Sequence, residues 1–571
     1  MSEPAAEPVE PHVDDAAAAS APAASPANAD EHVPLLRVRD LQVTFRTMAG
    51  TVEAVQHVSF DVEQGETVAI VGESGSGKST TAMAIIRLLA SNATIAGGSI
   101  QLDGRELVGL SEARMRSLRG AEIGMVPQDP MSNLNPVSKI GTQVAETLLV
   151  HRKATRRDVG TKVVEALSAA GLPDGEHRAN QYPHEFSGGM RQRALIAIGL
   201  ACAPRLLIAD EPTSALDVTV QRTILDQIDA LTRELGTSVL LITHDLGLAA
   251  ERASKVVVMH RGRVVEAGPA SEILTNPQHE YTKALVAAAP SVAAARAEVI
   301  EHGAEGAQAA ASDDLVVVQG LTKVYPVRGG EDFTAAKDVS FTIPRGRTVA
   351  IVGESGSGKT TTARMLLKAV EPTSGSMLFE GQEIADLKGD ALRSFRQRVQ
   401  PVFQDPYSSL NPSFTIGRIV GEPLDAYRRG SRAERRARVA ELMDQVALPQ
   451  SMLRRYPGEL SGGQRQRVAI ARALALKPDL VVCDEPVSAL DVLVQSQILH
   501  LLGELQRELG LSYLFISHDL AVVRLISDHV AVMQHGEIVE QAPSEELFQN
   551  PRHPYTRQLL ASIPGAELGA A

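Results

Sequence analysis

Several things are scarce in this chain, and each scarcity excludes something. Only two cysteines, Cys202 and Cys483, occur in 571 residues. Two thiols cannot build a disulfide framework, a Cys₄ zinc site or a four-cysteine iron–sulfur cluster, and a reducing cytosol fits that usage. Basic excess is missing as well. A formal net charge of −13 argues against a protein whose main task is to coat nucleic acid, which needs a basic footprint. No apolar run is long enough to cross a bilayer: ALIAIGLACAPRLLIA (194–209) is cut by Pro204-Arg205, well short of the ~20 residues a span needs. Residues 1–33 lack a basic segment followed by an apolar core. They read as a disordered Ala/Pro/acidic tail rather than a signal peptide.

What is present is a long duplication. VAIVGESGSGKSTT (68–81) returns as VAIVGESGSGKTTT (349–362), which places Lys359 281 residues after Lys78. Downstream, Gln128 matches Gln404 at an offset of 276, and Ser187 matches Ser461 at 274. The offset then stays at 274 for Asp210/Asp484, His244/His518 and Asn276/Asn550. Two small deletions account for the drift, so each copy is a domain of roughly 255 residues and not a short solenoid unit. The copies are expected at 34–290 and 314–567, joined by an Ala/Gly/Glu-rich linker at 291–313. Treated as flexible coil, that linker gives the copies about millimolar effective concentration for each other.

Both copies alternate strand and helix patterns, which predicts an α/β fold. ETVAIV (66–71) leads into the glycine loop, and TTAMAIIRLLA (80–90) has helical spacing after it. RLLIADEP (205–212) and TSVLLITHD (237–245) are continuous apolar runs ending in polar residues, the pattern of buried parallel strands presenting chemistry at their C-terminal ends. GESGSGKS (72–79) and GESGSGKT (353–360) fit the phosphate-binding pattern in which glycines let the backbone wrap around phosphate oxygens. Its members are Gly72, Ser74, Gly75, Gly77, Lys78, Ser79 and Thr80, with Gly353, Ser355, Gly356, Gly358, Lys359, Thr360 and Thr361 in the second copy. The lysines would reach the β- and γ-phosphates, and the Ser79 and Thr360 hydroxyls would sit on Mg²⁺. Asp210 and Asp484 end apolar strands where a second Mg²⁺-holding carboxylate belongs. Glu211 and Glu485 are the candidate bases, and His244 and His518 could donate to the γ-phosphate.

With SGGMRQR and ADEPTSALD in one copy, and SGGQRQR and CDEPVSALD in the other, the chain resembles tandem nucleotide-binding domains of ABC transporters over nearly all of 34–567. That resemblance implies two P-loop NTPase domains, each with a helical subdomain, ATP and Mg²⁺ as ligands, and ATP hydrolysis as the activity. It also implies that Gln128 and Gln404 touch Mg²⁺ and relay to a membrane partner, that Asp217 and Asp491 are D-loop residues, and that Phe45 and Tyr325 stack on adenine. A core aromatic is the competing reading for each of the last two. Head-to-tail pairing would place Ser187, Gly188 and Gly189 over the second P-loop and Ser461, Gly462, Gly463 and Gln464 over the first. The copies differ at one notable place: Met190 stands where the second has Gln464, and a thioether cannot replace carboxamide hydrogen bonds.

NPQHEYTKAL (276–285) and NPRHPYTRQL (550–559), with QDPMSNLNP and QDPYSSLNP after the glutamines, resemble the dipeptide/oligopeptide/nickel importer ATPases. The resemblance implies two integral-membrane permease subunits, an extracytoplasmic solute-binding protein acting indirectly, no nucleic acid, and a place on the cytoplasmic face of the membrane. Some such ATPases hold an iron–sulfur cluster on tail cysteines; this tail has none, so no cluster is expected. The basic runs HRKATRR (151–157) and RRGSRAERRAR (428–438) read as solvated helix faces, and both cysteines as buried core residues. A soluble tandem-ABC protein acting on ribosomes or DNA is the alternative class.

Overall fold

The computed structural model describes residues 33–47, 50–213, 216–289, 314–326, 332–488 and 490–563. The expected linker at 291–313, and all of the expected tail except Val33, lie outside that set. Each copy has two sheets. In the first, Leu36–Thr47 lies between Gly50–Val62 and Ala93–Leu102, all antiparallel, with the short Arg105–Glu106 on the outer edge. The second sheet runs Arg263–Pro269, Lys255–His260, Thr67–Val71, Ser238–Thr243, Leu206–Asp210, Ile123–Val126. Its strands are parallel apart from the outermost, Arg263–Pro269. The second copy repeats both sheets in the same orders.

The parallel strands form because runs such as TVAIV and LLIAD are buried on both faces, where β-branched and leucine side chains fit a sheet covered by helices. Ile70, Ile208, Leu240 and Ile242 are fully buried in one cluster between the two sheets, each contributing roughly 1.5–3 kcal/mol of hydrophobic burial. On the other side, Ile140–Val150, Val159–Ala169 and Gly188–Leu200 pack a helical subdomain around Val144, Leu167 and Ile196. Cys202 and Cys483 are buried free thiols.

Two local expectations change. The helix expected over 80–90 spans only Lys78–Ile85. Arg87 turns left-handed (φ 53°) and donates to the carbonyls of Leu107 and Leu110, which ties the chain to the antiparallel sheet. The basic run at 151–157 occupies a turn between two helices rather than a helix face. Its counterpart enters the helix Arg432–Gln445 through a capping box of Ser431 and Glu434.

Candidate functional site: two phosphate loops and their facing domain

Register brings the candidate residues to one edge of each parallel sheet. Val71 pairs with Thr243, Asp210 with Ile242, and Val126 with Ala209. The glycine loop, Gln128, the Asp210-Glu211 pair and His244 therefore all leave the sheet on the same side. The second copy pairs Val352 with Ser517, Asp484 with Ile516 and Val402 with Cys483 to the same effect.

The glycines are needed for close approach. A Cβ on Gly72 would stand 2.1 Å from the Met259 carbonyl oxygen, and one on Gly77 would stand 2.7 Å from that of Ala54. Both glycines also have positive φ, 151° and 100°, where side chains strain the backbone. Inside the loop Lys78 Nζ donates to the Gly72 and Glu73 carbonyls at 2.6 and 2.9 Å, and Lys359 Nζ to those of Gly353 and Glu354 at 2.7 and 2.8 Å. Burial pushes both lysines below their ordinary proton affinity, while the surrounding carboxylates hold it up. Ser76 and Ser357 each leave a buried hydroxyl oxygen without a hydrogen-bond partner. Orphaned hydroxyls, a cradled ammonium and a helix N-terminus suit a polyphosphate. Ser74 and Ser355 lie exposed on the loop, and Thr80 and Thr361 follow half-buried on the helix.

Beside the loop, Ser79 Oγ donates to Asp210 Oδ1 at 3.0 Å and Thr360 Oγ1 to Asp484 Oδ1 at 3.2 Å. Hydroxyl, carboxylate and carboxamide oxygens are the donor set that suits Mg²⁺. Burial raises both aspartates against these hydrogen bonds. Glu211 Oε2 accepts from Gln128 Nε2 at 2.8 Å and lies 3.4 Å from His244 Nδ1. Glu485 Oε2 accepts from Gln404 Nε2 at 2.9 Å and lies 3.1 Å from His518 Nδ1. Burial acts to raise the two glutamates, but the histidine contacts outweigh it and hold both below the usual carboxylate range. The imidazoles rise in turn, burial notwithstanding. Glu211 and Glu485 have φ of 45° and 47°, a left-handed backbone that costs a non-glycine residue about 1–3 kcal/mol and clusters at active sites.

The aromatics separate. Phe45 is half-buried, with part of its surface packed against the core. Tyr325 is 37% exposed, with Lys323 Nζ over its ring. The cavity around the second P-loop, 470 Å³, is instead lined by Phe333, the cross-strand neighbour of Tyr325. That cavity also takes Leu216 and Asp217 from the first copy. Asp217 Oδ1 accepts from Ser355 N–H at 2.7 Å, and Thr219 Oγ1 donates to Glu354 Oε1 at 2.6 Å. The D-loop of one copy thus engages the P-loop of the other. Ser187, Gly188 and Gly189 are not among the lining residues; a Cβ on Gly189 would meet Val220 of their own copy at 2.9 Å, as one on Gly463 would meet Val494 at 2.3 Å. Ser461, Gly462 and Gln464 start the equivalent helix, where Ser461 and Gln464 form a reciprocal capping box.

Sequence reasoning missed Phe333, Thr219 and two tyrosines of the C-terminal segments, Tyr281 and Tyr555. Only the tyrosines left a signal, the YT repeated at a fixed offset.

Two P-loop domains with acidic pairs, Gln and His at one sheet edge, facing each other through their D-loops, define an ATP-hydrolysing ABC engine. The ABC transporter family matches at residues 55–214 and 336–488, and the chain belongs to it. The oligopeptide/dipeptide transporter C-terminal region matches at 265–313 and 539–570. The glutathione import ATP-binding protein GsiA of Pectobacterium atrosepticum is 45% identical over 93% of this chain and 90% of its own. The GsiA of Escherichia coli K12 gives the same figures. A dimeric ATP-binding cassette in a post-hydrolysis state bound to ADP and Pi is 34% identical, covering 40% of this chain and 98% of its own, with a TM-score of 0.38. The chain is therefore an ABC importer ATPase. Its two ABC domains pair, and permease subunits are its membrane partners. Among the described residues no helix is long and apolar enough to cross a membrane.

Proposed function

We propose that this chain powers import of a small peptide-type solute, glutathione or a di- or oligopeptide, from the cytoplasmic face of the membrane. The observation that carries the reading is the oligopeptide/dipeptide transporter C-terminal region at the end of both copies. The glutathione import relatives support it, and nickel or another small solute is the second reading that the importer group leaves. An extracytoplasmic solute-binding protein would deliver the solute, and nucleic acid has no part.

In this reading Lys78 and Lys359, aimed by their carbonyl cradles, neutralise the β- and γ-phosphates. Mg²⁺, held by Ser79, Asp210 and Gln128 or by Thr360, Asp484 and Gln404, would offset charge on the phosphate oxygens. Glu211 and Glu485 stay ionised beside their histidines and take the proton of the attacking water, while Gln128 and Gln404 hold the carboxylates in place. His244 and His518 supply the hydrogen-bond donor to the γ-phosphate. Ser187, Gly188 and Gly189, and Ser461, Gly462, Gly463 and Gln464, close the opposite sites when the copies draw together. Closure and release do mechanical work because nucleotide binds the closed state more tightly than the open one.

Uptake by vesicles carrying the chain, its co-purifying permease and its binding protein tests the reading. ATP-dependent entry of labelled glutathione or dipeptide, with no entry of nickel, is expected. Nickel uptake alone would overturn the peptide assignment. An assay finding stoichiometric iron would overturn the absence of a cluster.

A further inference from the structure

The C-terminal motif N-P-x-H-x-Y-T has a physical purpose at the phosphate loops. In the first copy Glu266 accepts from the N–H groups of Gln278 and His279 at 2.8 and 3.0 Å, which fixes the turn. His279 Nδ1 then accepts from Tyr281 N–H at 3.1 Å and caps the helix Glu280–Ala288. The second copy does the same with Glu540, Arg552, His553 and the helix Pro554–Ala561. Each helix then sends its tyrosine into the P-loop of its own copy. Glu73 N–H donates to Tyr281 Oη at 3.0 Å, and Glu354 N–H donates to Tyr555 Oη at 3.1 Å.

These amides belong to the peptide units Gly72–Glu73 and Gly353–Glu354. The carbonyl ends of the same units, Gly72 O and Gly353 O, accept from Lys78 Nζ and Lys359 Nζ. One rigid planar group therefore has a tyrosine at one end and the P-loop lysine at the other. Hydrogen bonds joined through a single amide polarise and orient one another. We propose that Tyr281 and Tyr555 are positioning residues for the P-loop lysines, each pinning the peptide that aims its lysine at the phosphates.

The tyrosines also stand where the opposite copy lands. Tyr281 packs against the same apolar cluster as Leu493 of the other copy, and its helix touches Val492–Leu509. Arg222 of the first copy donates to Ala561 O, at the end of the helix that carries Tyr555. Pairing of the copies thus bears on the element that sets each lysine. Burial, and beyond it the charges of Glu354 and the opposite Asp217, push the Tyr555 hydroxyl up to about 12; Tyr281 shifts the same way. Both hydroxyls keep their protons throughout the working range.

The inference rests on the lysine roles proposed above, which ATP hydrolysis by the unsubstituted full chain tests separately. Tyr281→Phe and Tyr555→Phe keep ring packing and remove only the hydroxyl. Each is expected to raise KM for MgATP about five-fold, the worth of one neutral hydrogen bond, with kcat nearly unchanged. Binding of a non-hydrolysable ATP analogue should weaken in parallel, while the melting midpoint without nucleotide stays near that of the parent. An unchanged KM and analogue affinity, with or without a lower melting midpoint, would overturn the proposal and leave the tyrosines as packing residues.

Discussion

Glu211 and Glu485 sit at the meeting point of three constraints: a left-handed backbone, a glutamine N–H donor and a histidine ring. If they are the bases, Glu211→Gln and Glu485→Gln should each lower turnover by on the order of 10²–10⁴ at its own site while nucleotide still binds. Comparable losses in steady-state ATPase for the two substitutions are expected. Loss with only one of them would mean that the sites differ in catalytic capacity. The histidines give a pH test. His244 and His518 have proton affinities raised by the glutamates, so their stabilising contact is fully present below the ordinary histidine range. It fades as pH climbs through the raised value. His518→Gln should therefore lower the melting midpoint more at about pH 6 than at about pH 9. Equal losses at both pH values would argue against a charged contact.

At the scale of elements the two copies are not interchangeable. Ser461 and Gln464 cap their helix reciprocally, whereas Ser187 accepts from Met190 N–H and the methionine returns nothing to the serine amide. Met190→Gln should complete the box and stabilise the helix start by about 0.5–1 kcal/mol, read as a rise in the first copy's unfolding midpoint. A second difference concerns the D-loop helices. Thr219 donates to Glu354 in the opposite P-loop, but the position equivalent to Thr219 is Leu493, which has no polar atom to offer Glu73. Thr219→Leu should weaken engagement at the second P-loop, leaving Glu354 short of one hydrogen bond worth about 1 kcal/mol. Labelling of each P-loop by a photoreactive ATP analogue would locate the loss; equal loss at both loops would contradict the asymmetry.

For the whole molecule, covalent linkage decides how often the halves meet. We propose that the 23 residues 291–313 act as the tether; as flexible coil they would hold the copies at about millimolar effective concentration. Chains split within it and co-purified should lose specific ATPase activity on dilution, while the intact protein does not. Dilution-independent activity of the split pair would mean that the interface alone holds the halves together.

Much of this was legible in the residues. The offsets of 281, 276 and 274 exposed the duplication, and apolar runs ending in polar residues located the strand ends that carry Asp210, Glu211 and His244. These features are local, because a phosphate loop or a buried strand depends on neighbours within a few residues. What only the tertiary structure decided is long-range. It joined Tyr281 to Glu73 across 208 residues and Thr219 to Glu354 across 135, and it lined the second P-loop cavity with Phe333 rather than Tyr325. No periodicity records such contacts, since each arises where separately folded elements pack and a buried N–H or carboxylate takes whichever partner is within reach.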